Sequence, residues 1–222
     1  MRKLMVVLAS LFFFVAESAS GEILPRAIQS GDVLIFDVQA PTQTPGNPVV
    51  FEKKPDRILR VTVNEEGNRT YTHASSGKPF AVTTPFITKI EDRGVPIEEP
   101  NRFRHFPPGE FPKPGKKWTV NFISAAKPGN RIWLDATSDD GPSIAVMIDG
   151  KETFVKTVQV NYEGGVNSPD WDSNGAKIMA KILFAPDLQE IVFNQFVSYD
   201  RSGFLNKGYR SSLRAIKSQP SN

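Results

Sequence analysis

The stretch AKILFAPDLQEIVF, residues 180–193, decides the fold. On its approach Ile178, Ala180, Ile182 and Phe184 alternate with Lys177, Met179, Lys181 and Leu183. A period of two, apolar on one side, is the pattern of a strand packed against a core. Ala185-Pro186-Asp187-Leu188 then turns the chain, because proline presets φ and aspartate accepts hydrogen bonds from the next amides. Ile191, Phe193, Val197 and Tyr199 resume the alternation. The reading is a hairpin or tight sheet corner whose residues pack, not the arm of a catalytic cleft.

The same period runs through most of the chain. Trp118, Val120 and Phe122 alternate with Lys117, Thr119 and Asn121, and Leu59, Val61 and Val63 with Arg60, Thr62 and Asn64. Phe154, Val158, Val160 and Tyr162 are assigned to one face, opposed by Thr153, Thr157, Gln159 and Asn161. Turn signals separate the runs: Glu66-Gly67-Asn68, Asp149-Gly150, and Ser202-Gly203 with Lys207-Gly208 before a last strand at 209–216. Helical spacing is not sustained anywhere after residue 24, because proline and glycine interrupt too often. The expected architecture is all-β, an antiparallel sandwich or half-barrel of roughly ten to twelve strands.

Two stretches break this rhythm. APTQTPGNP, residues 40–48, reads as an exposed loop. PIEEPNRFRHFPPGEFPKP, residues 96–114, holds so many prolines that it cannot be a ladder strand and reads as a long crossover. A short echo, SGDVLIF (30–36) against PGKKWTV (114–120), sets a turn glycine three residues before a large apolar strand residue and suggests a two-part build.

The amino terminus carries a different code. Arg2 and Lys3 precede an apolar run from Leu4 to Ala16, and small residues follow at Ser18 and Ser20. This is the layout of a secretory signal peptide over residues 1–20, which leaves 21–217 as a single β-rich domain and 218–222 as a disordered tail. The apolar run is too short for a stable membrane span. Without Arg2, Lys3 and Glu17 the chain has 25 basic and 23 acidic residues, too even a balance for a nucleic-acid surface. Cysteine is absent, so stability must come from burial, and the lipid acceptor of a bacterial lipoprotein is missing too. A periplasmic or extracellular location is expected.

Together SGDVLIFDV (30–38), FPPGEFPKPGKKWTVNF (106–122), ETFVKTVQV (152–160), the segment at 180–193 and YRSSLRAIK (209–217) carry a family likeness. The chain resembles bacterial secreted and periplasmic all-β domains of unknown function, which have a Gly-x-x-Trp strand opening and an aromatic-Ala-Pro-Asp-Leu corner. It departs from them at Leu34, where tryptophan is more frequent, and at Phe184, where tyrosine is. The resemblance implies an envelope β-scaffold and carries over no catalytic residue.

Chemical motifs are sparse. Asp170-Trp171-Asp172-Ser173-Asn174-Gly175 matches the first half of a calcium loop, but Lys181 stands where a bidentate glutamate belongs. It reads as a polar hairpin turn, and no metal or cofactor is expected. Gly141-Pro142-Ser143-Ile144-Ala145 is an incomplete nucleophile elbow, and the only two histidines, His73 and His105, lie upstream of it. Asp135, Asp139 and Asp140, and Glu163, Asp170 and Asp172, form two acidic groups, of the kind a carbohydrate-active enzyme needs if they face each other. Residues 102–117 interleave Arg102, Arg104, Lys113, Lys116 and Lys117 with phenylalanines, either a surface for an anionic ligand or a plug over the core with solvated charges. No catalytic constellation is complete. The expected function is non-enzymatic binding of an envelope protein or of an apolar or anionic envelope ligand, with a carbohydrate-active enzyme as the alternative.

Overall fold

A computed structural model describes residues 25–44, 47–124, 129–169 and 175–218. The signal-peptide segment, Asp170 to Asn174 of the calcium-like loop and residues 219–222 lie outside them. The described residues form an all-β protein without helices. Its strands are β1 (Val33–Thr42), β2 (Val50–Val63), β3 (Arg69–His73), β4 (Pro79–Thr83), β5 (Lys89–Asp92), β6 (Val95–Pro96) and β7 (Lys117–Ile123). They continue as β8 (Arg131–Asp140), β9 (Ile144–Ile148), β10 (Lys151–Val155), β11 (Val158–Asn167), β12 (Lys177–Ala185), β13 (Glu190–Tyr199) and β14 (Leu205–Lys217).

All belong to one sheet, in the order β6-β5-β4-β3-β2-β1-β14-β13-β12-β11-β8-β7, with the β9–β10 hairpin attached beside β14. Pairing is antiparallel except where Ala215 and Ile216 meet Met147 and Ile148 in parallel. The turns work as the sequence suggests. Gly67 takes φ 78°, and Asp149 and Gly150 take 50° and 84°, the positive pair that a two-residue hairpin demands.

Over most of the sheet register gives one apolar side, while at the end of β12 the four successive residues Ile182 to Ala185 are buried on both sides. Trp118, Ala136, Tyr162, Ala180, Phe196 and Tyr209 pair in succession across β7, β8, β11, β12, β13 and β14. On the other half Leu34, Leu59, Val61, Tyr71 and Ala81 share a buried cluster with Leu188, Leu213 and Ile216. The expected crossover is present: residues 97–116 join β6 to β7, at opposite ends of the strand order. Its rings cover the core side of β7–β12. Phe103 lies 5.1 Å from Phe122, Phe106 lies 5.2 Å from Phe184, and Phe111 stacks on Phe184 at 4.8 Å. Phe106, which is buried, contributes roughly 1.5–3 kcal/mol by leaving water, and the partly buried Phe103 and Phe111 contribute less.

Some sequence assignments need correction. Phe154 does not share a face with Val158, Val160 and Tyr162: it is 66% exposed while Thr153 and Val155 are buried. Lys156 and Thr157 lie between β10 and β11, and the break resets the alternation. Ile191 and Phe193 do not share a face either. Ile191 opposes Phe184 and Phe193 opposes Leu183, with a bulge that drives Val192 into the core. Lys207-Gly208 is inside β14 rather than a bracket before it. A side chain at Gly208 would come within 2.6 Å of the Phe196 carbonyl and 2.9 Å of Pro41. The stretch at 40–48 is not all loop, because Ala40, Pro41 and Thr42 still pair with β2.

Candidate functional site

Three places concentrate polar chemistry. The first is buried. Tyr71 Oη donates to Glu190 Oε2 at 2.7 Å, and Arg69 Nη1 stands 3.6 Å from the same oxygen. Arg69 also donates to the Gln189 carbonyl, and Glu190 Oε1 accepts the Ile191 amide at 2.9 Å. Burial raises the carboxyl of Glu190, while Arg69 and Tyr71 oppose the shift, and burial pushes the Tyr71 phenol well up. Glu190 thus has a partner on each oxygen and almost no contact with water. This cluster is a clamp between β3 and the β12–β13 turn.

The second lies under the crossover. His105 packs on Phe103 at 4.5 Å, and its carbonyl accepts Tyr162 Oη at 2.6 Å. Burial, assisted by Lys89, pulls the imidazole down to about 3, so it is neutral at ordinary pH. His105 Nδ1 and Trp118 Nε1 are buried without a hydrogen-bond partner. Such atoms cost about 1–3 kcal/mol each, which the surrounding ring contacts offset. The charges of this segment point back to the protein or to water: Arg104 pairs with Glu99 at 2.6 Å, and Arg102 pairs with Glu99 and donates to the Ile97 carbonyl. The arrangement is the plug.

The third is the other side of the sheet, which the crossover leaves open. One row runs Lys117, Thr137, Asn161, Lys181, Gln195, Arg210, Gln39, Lys53 over eight strands. The next runs Thr119, Asp135, Glu163, Met179, and the next Asn121, Trp133, Gly165, Lys177. Trp133 is 46% and Met179 50% exposed. At the far end, Met147, Ala215, Ile35 and Ile58 form an apolar cross-strand stripe with Phe154 on the neighbouring β10. Charges border that stripe: Arg214 pairs with Asp56 at 2.8 Å, and Lys53 stands 3.9 Å from both Asp37 and Asp56. Beside Ile58 an open depression of about 400 Å³ is lined by Asp56, His73, Ala74 and Ser75.

Of the six carboxylates named in sequence, Asp135 and Glu163 come together as direct cross-strand partners. Asp139 and Asp140 are exposed at the end of β8, and Asp170 and Asp172 lie outside the described residues. Ser143 is exposed before β9, while the His73 ring packs on Phe80 and that of His105 packs on Phe103 within the plug, so neither ring is engaged with it. No group of three acidic or histidine residues among the described residues is placed to hold a metal. No described helix is long and apolar enough to cross a membrane. The apolar stripe was missed in sequence, although Ile58 and Met147 stand at the polar phase of their strands and could have marked it.

No family model matches the chain, and no curated protein matches it. Three solved structures are similar in outline. A lipoprotein candidate from Parabacteroides distasonis is 14% identical with a TM-score of 0.41, over 86% of this chain and 97% of that one. The hypothetical lipoprotein YmcC from Escherichia coli is 10% identical with a TM-score of 0.44, over 86% and 89%. An exported-protein candidate with a YmcC-like fold from Bacteroides fragilis is 16% identical with a TM-score of 0.39, over 86% and 98%. With every TM-score below 0.5, these likenesses bear on neither fold nor function.

Proposed function

We propose that the protein is an exported, non-catalytic β-scaffold that docks an envelope protein on the outer face of β10, β9, β14, β1 and β2. The observation that carries the reading is three exposed apolar side chains, Met147, Ile58 and Phe154, joined across the strands by the part-buried Ala215 and the buried Ile35, with charged Asp37, Asp56, Lys53 and Arg214 around them. An apolar centre within a polar rim is the anatomy of a protein interface. The sealed core side favours a protein partner over a ligand held inside the sheet. Export is supported by the basic and apolar start of the chain, and the β-rich domain of the exported chain is residues 21–217.

Catalysis finds little support. Asp135 and Glu163 sit on an open sheet face, where nothing excludes water or desolvates one carboxyl to make it a general acid. The docking reading is tested by placing a photo-crosslinking residue at Phe154 in living cells, with Glu65 in the β2–β3 turn as control. One envelope protein should crosslink at 154 and not at 65, and Ile58→Asp with Met147→Asp should abolish the product without lowering the melting temperature. Equal crosslinking at both positions, or a product unaffected by the two aspartates, would defeat the reading.

A further inference from the structure

We infer that the outer face of β7, β8, β11 and β12 is a second binding site, and that its ligand is an uncharged glycan. The argument begins with Trp133. Its indole sits over Gly165, where a Cβ would lie 3.6 Å from Cζ2 and 3.7 Å from Cε2. Any larger side chain there would also press within 3.0 Å of the Ala176 carbonyl. The ring rests against the sheet over Gly165, at a distance where even a Cβ would make only ordinary contact with it, and nearly half of the residue remains in water. An aromatic face held in place by backbone is a stacking platform for the C–H face of a sugar ring.

The surroundings decide which chemistry fits. Asp135 and Glu163 are directly opposed, an arrangement that destabilises a sheet when nothing neutralises it. Neither has a lysine or arginine partner among the described residues. Thr119 Oγ1 donates to Asp135 Oδ1 at 2.8 Å and holds that carboxylate in place, while Glu163 is exposed. Two acceptor-only groups select a ligand rich in hydroxyl donors, and with Lys117, Lys177 and Lys181 on the same face the two signs of charge offset each other, so no single-sign field recruits a charged polymer. Asn121, opposite Trp133, and Asn161, one row from Glu163, add groups that both donate and accept. An aromatic platform, paired acceptors and flanking amides together match a neutral pyranose chain. Because the face is open, the site binds and does not cleave.

The test is calorimetric titration of the purified protein with tetramers of N-acetylglucosamine, β-1,4-glucose and α-1,4-glucose, and with polygalacturonate as the anionic counterpart. At least one neutral tetramer should bind and polygalacturonate should not. Trp133→Ala should weaken binding at least tenfold, Trp133→Phe should restore part of it, and Val95→Ser, exposed on β6 at the opposite end of the strand order, should leave it unchanged. Melting curves identify any variant that fails to fold, and Glu163→Gln, a change at an exposed position, gives a second measure through weaker neutral-glycan binding. The inference is overturned if no neutral tetramer binds, if Trp133→Ala binds as well as the parent, or if polygalacturonate is preferred.

Discussion

The two sides of β11 and β12 make the sharpest contrast in the molecule. On one side Val160, Tyr162, Ile178, Ile182 and Phe184 meet the rings of the crossover and are almost entirely removed from water. On the other, Glu163 and Met179 are exposed and Gly165 lies beneath the half-exposed Trp133. The difference teaches that the crossover, not the sheet, decides which side can work. A sheet alone has two usable faces; nineteen residues of proline-stiffened chain, 96–114, fill one and leave the other for recognition.

Substitutions on the sealed side should therefore cost stability, and those on the open side should cost binding. The largest effect is expected at the clamp. Glu190→Ala leaves Arg69, 5% exposed at its side chain, as an unpaired buried cation, and urea unfolding should report a loss of about 3–5 kcal/mol. Phe106→Ala empties space against Phe184 and should cost about 3 kcal/mol by the same measurement.

Acid should act on the sealed side next. His105 is neutral in the fold, with its pKa near 3, and takes a proton near 6.5 when unfolded. The unfolded chain then binds more protons between those values, so this stability is intact above pH 6.5 and falls as the pH drops toward 3. The slope from His105 is at most about 1.4 kcal/mol per pH unit. The raised carboxyl of Glu190 works the other way, since the fold favours its protonated form and loses that contribution as pH rises. Comparing the parent with His105→Phe from pH 7 to 4 isolates the imidazole, and an unchanged slope would show that His105 is hydrated. The smallest effects belong to the open side: Phe154→Ser and Trp133→Ala should shift stability by less than about 0.5 kcal/mol. A larger loss would mean that this face is covered.

Much of the fold could be read from local pattern. Alternation at 177–184, the positive-φ turns at Gly67 and Gly150, and the crossover at 96–114 all depend on neighbours a few residues away. What stayed hidden depends on distant pairing. Asp135 meets Glu163 only because the β9–β10 hairpin loops out and lets β8 pair with β11. Arg69 and Glu190 are 121 positions apart, and nothing near either residue announces a buried ion pair. Phase errors followed from single extra residues: the bulge at Val192, and the break at Lys156-Thr157 that turned Phe154 outward. One residue reverses every later side chain in a strand.

The central claim is that ligands meet the open face and never the sealed one. It is tested most directly by tryptophan fluorescence in two variants that each retain one reporter, Trp118→Phe with Trp171→Phe, and Trp133→Phe with Trp171→Phe. Titrated with the neutral tetramers, emission from Trp133 should shift and be protected from acrylamide, while Trp118 stays silent and poorly quenched throughout. A response from Trp118 alone would contradict the account.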